Sequence, residues 1–206
     1  MLSDVQNILN RDDCSTSLAQ TFLNQGIARI QRDCRLPSME RAQLITPAST
    51  PLTELLVPID LIQVIDLIVP VAGDTDGRAR GLKRVAYRKL LEYGQSDLPK
   101  VFARSQGTFY VRGAVPIGTQ IQLLYYGNFS AFANADSENE LSASTPDLAV
   151  YAALSYAGDH FEHPMTDKWE GRYQQIKAEV MAMAIDLDTE GGVQVVEPIY
   201  QTHDWD

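Results

Sequence analysis

Six residues late in the chain, Trp169, Tyr173, Ile176, Val180, Met183 and Leu187, advance by four, three, four, three and four positions. That spacing holds them on one face of an α-helix, whereas a strand, with its period of two, would scatter them over both of its faces. A stripe this long has to be buried, so the segment demands a partner. The partner lies immediately upstream. Thr145-Pro146-Asp147 supplies an N-cap, a proline at the first helical position and an acid against the helix dipole. The run that follows, LAVYAALSYAG, is apolar nearly all round and rich in alanine, which predicts a buried helix closely approached by its neighbours. Gly191-Gly192 ends the later helix.

Between the two helices lies GDHFEHP, residues 158–164, with His160, His163, Asp159 and Glu162. Two imidazoles and a carboxylate are materials of a zinc hydrolase, which also needs a third ligand. The spacing fits neither the zincin helix, with its histidines four apart, nor the inverted His-x-x-Glu-His form, which is one residue longer. Pro164 restricts the backbone of His163 and marks the start of the next helix. The segment therefore reads as the polar elbow of an αα-hairpin, with His163 near an N-cap. The chain also lacks a phosphate-binding Gly-rich loop opening a helix, a Cys-x-x-Cys pair and a Gly-x-Ser-x-Gly elbow. No catalytic residue, metal ligand or cofactor is assigned, and the chain reads as a non-enzyme.

At the other end, Ser3 followed by Gln6 has the form of a capping box, and Val5, Ile8 and Leu9 then share a face, giving a short helix to about Arg11. RDDCSTS interrupts it. From Ser17, the residues Leu18, Phe22, Leu23, Ile27, Ile30 and Cys34 recur at helical spacing until Pro37. Two cysteines, Cys14 and Cys34, are too few for a disulfide framework, and Cys34 sits on the apolar stripe, so both read as free, buried or half-buried thiols.

After Pro37 the period changes. AQLIT, TELLVP and LIQVIDLIV are rich in aliphatic and β-branched residues and are broken by prolines, which suits short strands. GDTDGRARG reads as a polar hairpin loop, YRKLLEYG as a turn or two of helix, KVFARSQGTFYVRG as a hairpin turning at Gln106-Gly107, and TQIQLLYYG as a closing strand. The fold expected is α+β: mainly an α-helical bundle, made of N-terminal helices (3–36) and a helical hairpin (146–190), with a small antiparallel β unit inserted at 41–127. A polar loop fills 128–145. Residues 1–192 read as a single domain, and 193–206 as an extended C-terminal arm.

Charge narrows the function. A formal net charge of -10 argues against tight wrapping of nucleic acid, which Lys and Arg drive by displacing counterions, yet it suits a surface past which DNA slides. No apolar run approaches the roughly 20 residues that span a bilayer, and the N-terminus lacks the layout of a signal peptide, so a soluble protein made in a cytoplasm is expected. Against the acidic balance, Arg78, Arg80, Lys83, Arg84, Arg88 and Lys89 cluster. They read either as edge-strand charge that discourages aggregation or as a contact with DNA phosphate or an acidic partner. The arm poses a similar choice. Val193, Val195, Val196, Ile199, Tyr200 and Trp205 are too apolar for a solvated tail, so they pack back on their own domain or dock on another subunit.

The order of these elements resembles the head-to-tail adaptor, or connector, proteins of tailed bacteriophages. The likeness rests on FLNQGIARIQRDCRL in the second helix and on Val57-Pro58-Ile59-Asp60-Leu61, where relatives carry a Leu-Pro-x-Asp-Phe strand start. It rests further on IQLLYYG, and on TPDLAVYAALSYAGDHFEHPMTDKWEGRYQQIKAEV, roughly residues 15 to 187 in all. These are packing motifs. The resemblance implies a structural virion protein in the neck, assembled in the host cytoplasm, that forms a ring, dodecameric in the family, beneath the portal. In such a ring the C-terminal arms dock on the portal, the opposite face receives tail or nozzle proteins, and genomic DNA passes through. Two other classes stand beside it: a stopper, completion or other ring component of the tail, and a metal-dependent hydrolase built on His160 and Glu162.

Overall fold

The computed structural model describes residues 1–48, 51–70, 79–94, 99–134 and 137–189. Helices α1 (Leu2–Leu9) and α2 (Thr16–Asp33) lead into strands β1 (Glu40–Ile45), β2 (Leu52–Leu56) and β3 (Leu61–Pro70). Short strands β4 (Ala79–Gly81) and β5 (Lys83–Arg84) and helix α3 (Tyr87–Glu92) precede β6 (Val101–Ser105), β7 (Thr108–Val115) and β8 (Ile121–Gly127). Helices α4 (Glu140–Ser144), α5 (Pro146–His160) and α6 (Thr166–Thr189) follow. The chain divides into two compact units, one of Met1–Leu36 with Thr145–Asp206 and one of Pro37–Ser144.

In the helical unit, α5 is the centre. Leu148, Ala149, Ala152, Ala153, Leu154 and Ala157 are fully buried, because α2 packs along one side of the helix and α6 along another. Small side chains permit that closeness: a Cβ built on Gly26 of α2 would lie 2.9 Å from the backbone nitrogen of Ala153. The start of α2 is set by Ser15, whose Oγ accepts a hydrogen bond from Leu18 N at 3.2 Å. Ser3 behaves otherwise than its spacing suggests. It lies inside α1, which begins after Met1 with no side-chain cap. The stripe of α6 holds for Trp169, Tyr173 and Ile176, all buried, and then drifts to Ala184, leaving Met183 65% exposed. The cause is length, since α6 has 24 residues and α5 only 15, so the last turns of α6 outrun their hairpin partner.

Polar ties clamp α2 to α6. Arg29 makes two bonds to the Glu170 carboxylate, at 2.8 and 2.7 Å, and its guanidinium lies 4.2 Å over the Tyr173 ring. The Tyr173 hydroxyl donates to Asp33 Oδ2 at 3.0 Å, and Lys177 Nζ lies 3.4 Å from the same oxygen. Those bonds hold Glu170 down from an ordinary 4.5 to about 2, with Arg29 the main cause. A carboxylate whose folded pKa is depressed stabilises fully above its unfolded value and loses that contribution as pH falls through the folded one. Glu170→Gln is therefore expected to flatten the acid limb of stability between about pH 4.5 and pH 2, followed as the unfolding midpoint against pH. An unchanged limb would mean the pair contributes nothing.

The second unit corrects the expectation of a mainly helical bundle with a small β insertion. Among the described residues, eight strands form two four-stranded sheets, ordered β1-β8-β3-β4 and β2-β7-β6-β5. Pairing is antiparallel except between β5 and β6, which run parallel. Both sheets contribute to one core, in which Leu55, Phe102, Phe109 and Val111 of the second share a cluster with Leu67, Val69 and Leu123 of the first. The sheets are larger than their sequence suggests for a local reason. Register shifts between Leu61 and Gln63 and between Val64 and Asp66 break the alternation of β3, so a central strand does not show a strand's period of two. By contrast β8 alternates cleanly, with Ile121, Leu123 and Tyr125 buried.

Two motifs find their physical reasons here. Asp60, in the Val57–Leu61 motif, takes the Tyr125 hydroxyl on Oδ1 at 3.2 Å and Asn128 N on its carbonyl at 2.8 Å, tying the start of β3 to the end of β8. Gly127 leaves room for it, since a Cβ there would come within 2.8 Å of Asp60 Oδ2. At the β6–β7 hairpin, Gln106 (φ 47°) and Gly107 (φ 79°) are both left-handed, as a two-residue turn matched to strand twist requires. Cys14 and Cys34 are buried and free, and burial pushes both thiols up in pKa.

Candidate functional site

The elbow between α5 and α6 is built as a turn. Glu162 reverses the chain at φ 48°, and His163 N donates to the Gly158 carbonyl at 2.8 Å. His163 then starts the next helix: its Nδ1 accepts from Met165 N at 3.2 Å, its carbonyl takes the Thr166 hydroxyl at 2.6 Å, and its ring stacks 4.6 Å from Trp169. His160 meets different neighbours, with its ring 4.7 Å from Phe161 and 5.4 Å from Phe22. Arg11, paired with Asp13, lies 4.5 Å over Phe161. Among the described residues no three His, Cys, Asp or Glu side chains converge as a metal site. Calorimetric titration with zinc is expected to show no sub-micromolar binding. His163→Ala is expected instead to cost about 1 kcal/mol in folding stability, through the lost stack and helix start. Tight zinc binding abolished by that substitution would reverse this assignment.

The basic cluster is dispersed over short elements of the second unit. Arg78 lies outside the described residues. Arg80, on β4, is half-buried, and its Nη2 donates to the Pro99 carbonyl at 2.9 Å, so it braces a loop. Lys83 and Arg84 on β5, and Arg88 and Lys89 on α3, are exposed. The structure thus separates one structural arginine from four cations that face solvent. The same unit holds a feature the sequence did not announce, a groove of about 220 Å³ between α3 and β7. Tyr87, Leu90, Leu91 and Tyr110 line it, with the Tyr87 and Tyr110 rings 5.1 Å apart. Arg112 at its rim donates Nε to the Tyr93 carbonyl at 2.7 Å. The only signal was Leu90-Leu91: Leu90 faces the core, and its neighbour on a helix cannot, so Leu91 stands 57% exposed.

The arm residues Val193, Val195, Val196, Ile199, Tyr200 and Trp205 lie outside the described residues. What is described reaches the last turns of α6, where Met183 and Ile185 are 65% and 59% exposed. Among the described residues no helix is long and apolar enough to cross a membrane.

Comparison with known proteins gives one family. A family model described as SU10 adaptor protein matches residues 1–195. No curated protein matches the chain.

Proposed function

The chain belongs to the SU10 adaptor protein family, and from that membership we propose that this bacteriophage adaptor forms a ring beneath the portal, lengthens the DNA channel and offers the surface to which the tail attaches. The observation that carries the proposal is the family match, which runs through both compact units. The geometry is compatible with the reading: the polar groups that looked most like a catalytic site spend their bonds on a helix start, and apolar side chains remain exposed at the end of α6.

In this account Val193, Val195, Val196, Ile199, Tyr200 and Trp205 form a docking arm whose partner is the portal. The ring, with twelve copies as in the head-to-tail adaptors that the chain resembles, sits in the virion neck. Its other partners are copies of itself and tail or nozzle proteins, with genomic DNA passing through. Lys83 and Arg84, with Arg78, are the candidates for contact with DNA or an acidic partner, whereas Arg80 of the same cluster is engaged with the Pro99 carbonyl. Sedimentation of the full chain alone and with portal rings tests this. A monomer or loose mixture alone, and complete co-sedimentation with portal, is the expected result; a chain that stays unbound beside portal rings would end the proposal.

A further inference from the structure

The two sheets of the second unit share one core, so their other faces look outward in opposite directions. On the first sheet, Ile121, Leu123 and Tyr125 of β8 point into that core. Alternation turns Gln122, Leu124 and Tyr126 outward, together with their β1 partners Leu44, Ala42 and Glu40. There Leu44 is 59% and Ile65 44% exposed, and Ala42, Ile65 and Leu124 line a groove of about 190 Å³. On the second sheet, Leu55 of β2 points into the core, and Glu54 and Leu56 point outward. Helix α3 covers that face only in part. Its Leu90 packs on Val101 and Ala103 of β6, and the α3–β7 groove lies between the helix and Thr53 and Glu54 of β2. Leu91 lines this groove, and Leu56, 82% exposed, continues the face beyond Glu54.

Both grooves are balanced in charge. Each lining holds one acid and one arginine, Glu40 with Arg41 and Glu54 with Arg112. Both arginines are already bonded, Arg41 to the Glu140 carboxylate at 2.9 Å and Arg112 to the Tyr93 carbonyl. Neither groove therefore selects a phosphate or a strongly charged peptide; each suits a neutral, apolar surface. A chain of net charge -10 repels its own copies, and balanced apolar faces are where two copies meet without added repulsion. Their placement also fits a ring. A member of a closed ring touches its two neighbours through two unlike patches, and among its described residues this unit carries unlike apolar patches on opposite sides.

We infer that the outward face of the first sheet, at Ala42, Leu44 and Ile65, docks on the α3–β7 face, at Leu56 and Leu91, of a second copy of this chain. The inference rests on the proposed ring and names the surfaces through which neighbouring copies touch. The contact is heterologous, so repeated around the ring it uses each face once per copy.

Portal rings saturated with an equal mixture of isotopically light and heavy full-length chains test this. With a photo-crosslinker at position 91, light chains should join heavy ones through peptides that contain Ala42, Leu44 or Ile65. Two double substitutions at exposed positions complete the test: Ala42→Lys with Leu44→Lys on the edge strand β1, and Leu56→Lys with Leu91→Lys on the other face. Circular dichroism checks that each fold is kept. Lysine lowers the repulsion between acidic copies, so a lost contact cannot be traced to added negative charge. Each double variant alone should attach at least about tenfold more weakly than the unaltered chain, since each copy then holds the portal without its neighbours. An equal mixture of the two should regain part of that loss, because the intact face of one meets the intact face of the other. Crosslinks confined within single chains or reaching other surfaces, attachment indifferent to both double substitutions, or a mixture no better than either variant would overturn the inference while leaving the ring in place. An unaltered chain that leaves portal rings bare would remove the proposed ring itself, and the inference with it.

Discussion

A chain shortened to residues 1–192 is expected to keep its fold and lose attachment to portal rings. The fold should survive because the packing described above lies within residues 1–189: α5 between α2 and α6 in one unit, and the two-sheet core in the other. Attachment should fail because the deleted stretch holds six large apolar side chains, each contributing about 1.5–3 kcal/mol when fully buried. Even after the cost of ordering the arm is subtracted, a net loss of at least about 3 kcal/mol is expected, more than a hundredfold in affinity. Far-ultraviolet circular dichroism and co-sedimentation with portal rings read the two halves. Undiminished attachment of the shortened chain would remove the arm from the proposed function.

The second large effect is internal. Gly26→Leu should destabilise the helical unit by about 3 kcal/mol or more, because overpacking a well-fitted interface costs about 1–3 kcal/mol and here the clash is with backbone. A Cβ alone at Gly26 would sit 2.9 Å from Ala153 N and 3.1 Å from Ala152 Cβ, so α2 and α5 must move apart to admit anything larger. The unfolding midpoint should fall by roughly 6–12 °C for a chain of this size. Gly171, on α6, is the matched control, since a Cβ there meets nothing within 4 Å. Gly171→Ala should be neutral or stabilise by up to about 1 kcal/mol, through helix propensity. Opposite signs at two helical glycines would tie the effect to the α2–α5 contact; equal effects would argue against it.

How much of this was legible in the sequence depended on whether a local pattern or a distant partner decided the outcome. The hairpin of α5 and α6 was legible because its signals are local: Thr145-Pro146-Asp147 at one end, Pro164 at the elbow, and the Trp169, Tyr173, Ile176 stripe. Even there, Met183 was misjudged, since its burial required a partner helix as long as α6. Ser3 shows the same limit at the other end, where the capping-box pattern was present but the helix starts earlier. The β unit was underestimated because β3 changes register within its length and because β4 and β5 have only three and two residues. Such strands exist by pairing with residues far away in sequence, as Lys83 and Arg84 of β5 do with Val101 and Phe102. The elbow holding His160 and His163 was legible from its spacing together with Pro164, and the chain does turn there, at Glu162. The groove was not legible, because it arises where Tyr87 and Leu91 of α3 meet Tyr110 of β7, and no single stretch contains both walls.

One measurement bears most directly on the central claim. Portal rings mixed with an excess of the full chain, imaged by electron cryomicroscopy, should show a closed ring of added density on one face of each portal, with the DNA channel open along its axis. Bare portal rings beside free chain, or copies scattered without symmetry, would contradict the account at its root.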